Sequence, residues 1–110
     1  GDFDMSGDTK MLHLVNKSPF EKNSLSSCLR LAKSGSGILL IEDGVFGALQ
    51  GTSVTNEIAG RSSDFNIYVL GPDLAARGLS EKPVIDGIEM IDYDGFVDLT
   101  IEHDVVNSWL

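Results

Sequence analysis

The sequence holds a single cysteine, Cys28, among 110 residues. One thiol can neither close an internal disulfide nor build a cysteine-based zinc site, and this usage fits a reducing, cytoplasmic setting. Cations are scarce as well: eight Lys and Arg stand against seventeen Asp and Glu, for a net charge of −9. Cations so few and so scattered form no stripe that could track phosphates. Direct binding of nucleic acid or of an anionic membrane is therefore not expected. No apolar run approaches the roughly 18 residues that span a bilayer, and the sequence does not open on a charged-then-apolar leader. A phosphate loop, a GxGxxG after the first strand, a nucleophile-elbow serine and metal-spaced Cys/His clusters are all missing from the pattern. No cofactor and no metal are expected.

What remains is ordinary globular composition, with 42% hydrophobic and 23% charged residues, in a length that suits one domain. Residues 1 to 10, "GDFDMSGDTK", show no apolar periodicity and read as a flexible extension or tag remnant. Setting aside their three aspartates and one lysine takes the net charge from −9 to −7 for the domain, residues 11 to 110.

Along that domain, "MLHLV" at residues 11 to 15 is continuously apolar, as a strand buried on both faces would be. After "NKSPFEKNS", Leu25, Cys28, Leu29 and Ala32 recur at spacings of three and four, which predicts a helix from Ser24 that Gly35 ends. Further strands are expected at Ile38 to Ile41, in "FNIYVLG" and in "GIEMIDY". Glycines 47, 51 and 60 weaken the helical spacing of "VFGALQGTSVTNEIAGRSS", so a short or broken helix is expected there. Asp73 is expected to cap a short helix through "LAAR", ended by Gly78. The tail "DGFVDLTIEHDVVNSWL" reads as one helix with Phe96, Leu99 and Thr100 on one side. Strands that alternate with helices predict an α/β class: a small three-layer α/β/α domain whose parallel sheet has four to five strands and right-handed crossovers. Chemistry in such folds sits beyond the carboxyl ends of the strands. Those ends are Asn16 to Pro19, Glu42 to Gly44, Gly71 to Asp73 and Asp92 to Asp94.

Cys28 is the one candidate nucleophile, and two readings of it stand. Its apolar neighbours at −3, +1 and +4 place it on a packed helix face, where a thiol is inert; a reactive thiol needs a helix N-terminus or an aligned cation. Asp43 reads as a helix cap and Gly44 as a tight turn, with Glu42–Asp43 as an acid–base pair the other possibility. His13 on a buried strand reads as a hydrogen-bonded core residue, and neither it nor His103 has a sequence-local partner. Trp109 and Leu110 end an apolar segment that must dock on its own domain or on a partner.

Five motifs in order, "MLHLVNKSPF", "LLIEDGV", "YVLGPDLAARGL", "IDYDGFVDLT" and the terminal "WL", resemble the TusB/DsrH family of sulfur-relay proteins from Met11 to Leu110. That resemblance implies a DsrEFH-like fold and a small subunit of a heterohexamer that contains two homologous sulfur-relay subunits. Such complexes take persulfide sulfur from upstream carriers and pass it to downstream ones. One branch serves 2-thiolation of the tRNA wobble uridine, the other dissimilatory sulfur oxidation, and the principal sulfur-carrying cysteine lies in a different subunit. "NKSPFEKNSLSSC" matches the DsrH type through Cys28, whereas some tRNA-thiolation members lack that cysteine. Two roles follow from the resemblance: an interaction subunit that does no chemistry, or an auxiliary sulfurtransferase that carries a Cys28 persulfide.

Overall fold

The computed structural model describes residues 10–109. Strands β1 (Met11–Val15), β3 (Asn66–Leu70) and β4 (Ile88–Ile91) lie within the expected segments, and β2 (Gly37–Leu40) is shifted by one residue from the expected Ile38 to Ile41. A fifth, β5 (Val105–Trp109), completes a sheet of order β4-β3-β2-β1-β5 in which every neighbouring pair is parallel. The tail is therefore not one helix. Helix α4 (Tyr93–Glu102) stops where His103 turns extended, and the β-branched pair Val105–Val106 continues as strand against Met11 and Leu12. Lys10 fixes this register: its amide donates to Asp104 Oδ2 at 2.9 Å, and its carbonyl accepts from the amides of Asp104 and Val105. The other nine residues of the expected extension lie outside the described residues.

Helices α1 (Ser24–Leu31), α2 (Thr55–Arg61) and α3 (Gly71–Ala76), with a 3₁₀ segment at Glu42–Ala48, cover one face of the sheet. Period two along the strands sends Val15, Ile38, Leu40, Ile67 and Val69 into that layer. They pack in one cluster with Leu25, Cys28, Leu29, Val45, Ile58 and Leu74. The other face holds Leu12 and Leu39 with Leu99 of α4, while Leu14, Ile41, Tyr68, Ile91 and Phe96 are partly buried around them. This is the α/β class read from the sequence, with five strands and helices on both faces.

Three local expectations change. Helix α1 ends at Leu31 because Ala32 is already extended, and Gly35, at φ +93°, turns the chain three residues later. Ile41, not Asp43, occupies the cap position of the 3₁₀ segment, and Asp43 instead pairs with Arg77 at 2.9 Å. Helix α3 starts directly at Gly71, which places Asp73 inside its first turn rather than at its cap. Pro72 near the helix start needs no donor there, which is why the helix can begin so abruptly. Gly78 does end the helix, by a Schellman turn in which its amide reaches the Ala75 carbonyl and that of Leu79 reaches the Leu74 carbonyl.

Gly44 sets how closely the ends of β1 and β2 approach. A Cβ added there would collide with the Val15 carbonyl oxygen, itself the acceptor for the Ile41 amide at 3.1 Å. Backbone cannot move aside as a side chain would, so Gly44→Ala should destabilise the fold by about 3 kcal/mol or more. Urea unfolding of the variant checks this, and a loss under about 1 kcal/mol would contradict the packing described.

Candidate functional site

Cys28 lies in the second turn of α1 with its side chain turned to the sheet, and it is 0% exposed. Burial pushes its thiol up to about 12, with no charged group contributing to the shift. At neutral pH only about one molecule in 10⁵ would carry the thiolate, the form that attacks sulfur. Cys28 is a thiol removed from both solvent and ionisation.

The acids that follow the strands are occupied by structure. Asn16 Nδ2 donates to Glu42 Oε1 at 3.2 Å, and the Glu42 amide donates to Asp73 Oδ2 at 2.6 Å. Arg77 donates from Nε to Asp43 Oδ1 at 2.9 Å and from a terminal nitrogen to the Asp73 carbonyl at 3.2 Å. These bonds tie the loops after β1, β2 and β3 together and hold Glu42 at φ +50°, a left-handed conformation rare for a side-chain-bearing residue. The Ser18 carbonyl of "NKSPF" accepts the Glu21 and Lys22 amides, and its hydroxyl accepts the Phe20 amide at 3.2 Å, so that motif forms a turn. Among the described residues no group of three His, Cys, Asp or Glu could hold a metal ion, and no helix is long and apolar enough to cross a membrane.

Two histidines and the tryptophan also have structural places. Trp109 Nε1 donates to His13 Nδ1 at 2.9 Å, which puts the imidazole hydrogen on Nε2, a buried atom with no partner among the described residues. The two rings lie 5.9 Å apart at 55°, and Trp109 packs against the core, so the end of β5 docks on its own domain. His103 Nδ1 lies 2.7 Å from the Leu99 carbonyl and closes the last turn of α4.

One open feature stands at the carboxyl ends. The chain leaves β3 toward the α1 face and leaves β4 toward the opposite face, so the topological switch point lies between these two strands. A cleft of about 460 Å³ opens there, lined by Gly71, Pro72, Met90, Ile91, Asp92 and Gly95. A side chain at Gly71 would be tight, since a Cβ would sit 3.2 Å from Met90 Cγ and 3.3 Å from the Ile91 carbonyl oxygen. Asp92 caps α4 by accepting the Gly95 amide at 2.9 Å. The cleft is mostly apolar, and among the described residues its lining offers no thiol or hydroxyl.

A family model described as DsrH like protein matches residues 17–106. Protein TusB of Pectobacterium parmentieri is 36% identical over 99 residues, which cover 90% of this chain and all of that protein. Protein TusB of Escherichia coli (strain K12) is 35% identical over the same shares. The chain belongs to the TusB/DsrH family of sulfur-relay proteins. Its fold also matches the crystal structure of the ychN protein from E. coli, with TM-score 0.78 and 23% identity over 92% of this chain and 99% of that one. A protein of unknown function from Methanobacterium thermoautotrophicum matches at TM-score 0.68 and 10% identity, over 91% and 99%. These two likenesses concern the fold alone.

In this family member, Cys28, the acid–arginine ties and the cleft all lie within the matched residues. Outside them lie His13 and Trp109, which join the ends of the chain. The sequence reading missed one exposed feature: Tyr93, Val97 and Ile101, on the outer side of α4. Their spacing of four is legible in the sequence, but the reading of this helix rested on Phe96, Leu99 and Thr100 on one side.

Burial lowers the His13 pKa below 6.5. Protonation would also place a hydrogen on the nitrogen that already accepts from Trp109. A His depressed in the folded state adds stability in full above pH 6.5, and that stability is lost as pH falls from 6.5 through the folded value. Urea unfolding at several pH values should show the wild type losing stability in this window by up to ~1.4 kcal/mol per pH unit more than His13→Gln. Equal slopes would contradict the buried neutral imidazole.

Proposed function

We propose that this chain is the non-catalytic interaction subunit of a cytoplasmic heterohexameric sulfur-relay complex, built with two homologous subunits and serving 2-thiolation of the tRNA wobble uridine. Upstream and downstream sulfur carriers meet the complex, and the persulfide rides on a partner's cysteine. Identity of 35–36% to proteins named TusB over their whole length supports the tRNA branch. The single observation that carries the non-catalytic role is the burial of Cys28.

The chemistry explains why burial matters. In a relay step the acceptor thiolate attacks the outer sulfur of the donor's persulfide. A new S–S bond forms, the donor's S–S bond breaks, and the donor leaves as a thiolate with no net oxidation. Such a step needs an ionised sulfur with an open approach line. Cys28 has neither, with 0% exposure and a thiol held near 12. As a packing residue it is also a poor marker of the sulfur-oxidation branch, because a buried methyl-sized group can be exchanged without touching chemistry.

The alternative, an auxiliary carrier with a Cys28 persulfide, makes the opposite forecast. A persulfide donor added to the assembled complex should leave this subunit's mass unchanged, and Cys28→Ala should keep sulfur flux within about twofold at ~1 kcal/mol lower stability. A sulfur adduct on native Cys28 that a downstream thiol removes would establish the carrier reading instead.

A further inference from the structure

Helix α4 breaks the usual rule for a helix on a sheet. Phe96 and Leu99 face the strands, so the opposite row should be polar. That row is instead Tyr93, Val97 and Ile101, at spacings of four, and they are 59%, 55% and 76% exposed. Met90, 53% exposed, lines the cleft that opens at the start of the helix. A helix apolar on both its inner and outer rows is a helix that something else covers.

Charge says what kind of body covers it. Residues 11 to 82 contain seven Lys and Arg and seven Asp and Glu, and so balance. Residues 83 to 110 contain seven Asp and Glu and no Lys or Arg, and so carry the domain's entire net charge. Three of these acids, Asp94, Asp98 and Glu102, also recur at spacings of four, each directly after a member of the apolar row. By the helical rotation of about 100° per residue they run as an acidic row along one flank of the apolar one. Two copies of this chain meeting through α4 would bring these acidic segments together with no cation on either β4–α4–β5 unit to offset them. An anionic membrane or a nucleic acid is repelled for the same reason.

We infer that the outer face of α4, with the cleft between β3 and β4, docks a partner protein of opposite character: an apolar ridge bordered by Lys or Arg. An apolar side chain of the partner fills the cleft lined by Gly71, Pro72, Met90 and Gly95, while its cations lie along Asp94, Asp98 and Glu102. This rests on the interaction-subunit reading and assigns that reading a surface.

The test assembles the full chain with its two homologous relay subunits and follows complex formation by native mass spectrometry and titration. Val97→Ser with Ile101→Ser removes only exposed side chains and should weaken assembly at least ~30-fold. Asp98→Lys should weaken it ~10-fold at low salt, with the difference shrinking as salt rises. Leu31→Ser, which alters an equally exposed residue (65%) on α1, should leave it unchanged. If the wild type assembles and both α4 variants assemble equally well, this surface is refuted while the interaction-subunit reading stands. If the wild type does not assemble with those subunits, that reading falls and the docking face falls with it. A self-dimer of the wild-type chain that Val97→Ser with Ile101→Ser abolishes would refute the basic partner by making the occupant a second copy.

Discussion

Because β5 pairs with β1 instead of extending the sheet past β4, helix α4 has to carry the chain back across the whole sheet. Right-handed crossovers then force it onto the face that α1, α2 and α3 do not use. Much follows from that one pairing. It ends α4 at Glu102, draws Lys10 and Asp104 together, and puts Trp109 against His13. It also creates the switch point between β3 and β4 where the cleft opens.

The same pairing makes the two faces unequal. Three helices and a 3₁₀ segment seal the first, and Cys28 lies under that seal. Among the described residues, the second has α4 alone. A helix of ten residues is about 15 Å long and about 10 Å wide, whereas five strands span about 19 Å between outer axes. Coverage is therefore partial, which is why Leu14, Ile41 and Tyr68 stay half-buried around a core of only Leu12, Leu39 and Leu99. Thiol chemistry is shut away on the complete side, and the surface available to partners is on the incomplete one.

Strands β1 to β4 were legible because each is an apolar run bounded by turn residues, a local signal. Strand β5 was not. "VVNSW" has the spacing of neither element, and only the free edge of β1, 94 residues away in the Lys10–Asp104 bond, makes it a strand. The acids were legible as important but not in their roles. Asp43 and Asp73 look like caps in sequence, yet Arg77 and the Glu42 amide, distant along the chain, claim them. Cys28 stood open between two readings because helix phase gives a direction, whereas burial depends on what the sheet places beneath it.

The measurement that tests the account most directly is the rate at which a small thiol reagent alkylates Cys28 in the native chain as urea rises through sub-denaturing concentrations. If the thiol belongs to the sealed core, reaction occurs only through opening of the fold. The rate should then lie several orders of magnitude below that of the unfolded chain and climb with urea as global unfolding does. A native rate close to that of a free cysteine and indifferent to urea would mean that Cys28 meets solvent in the folded state. The division between a sealed thiol face and an open docking face would then be wrong.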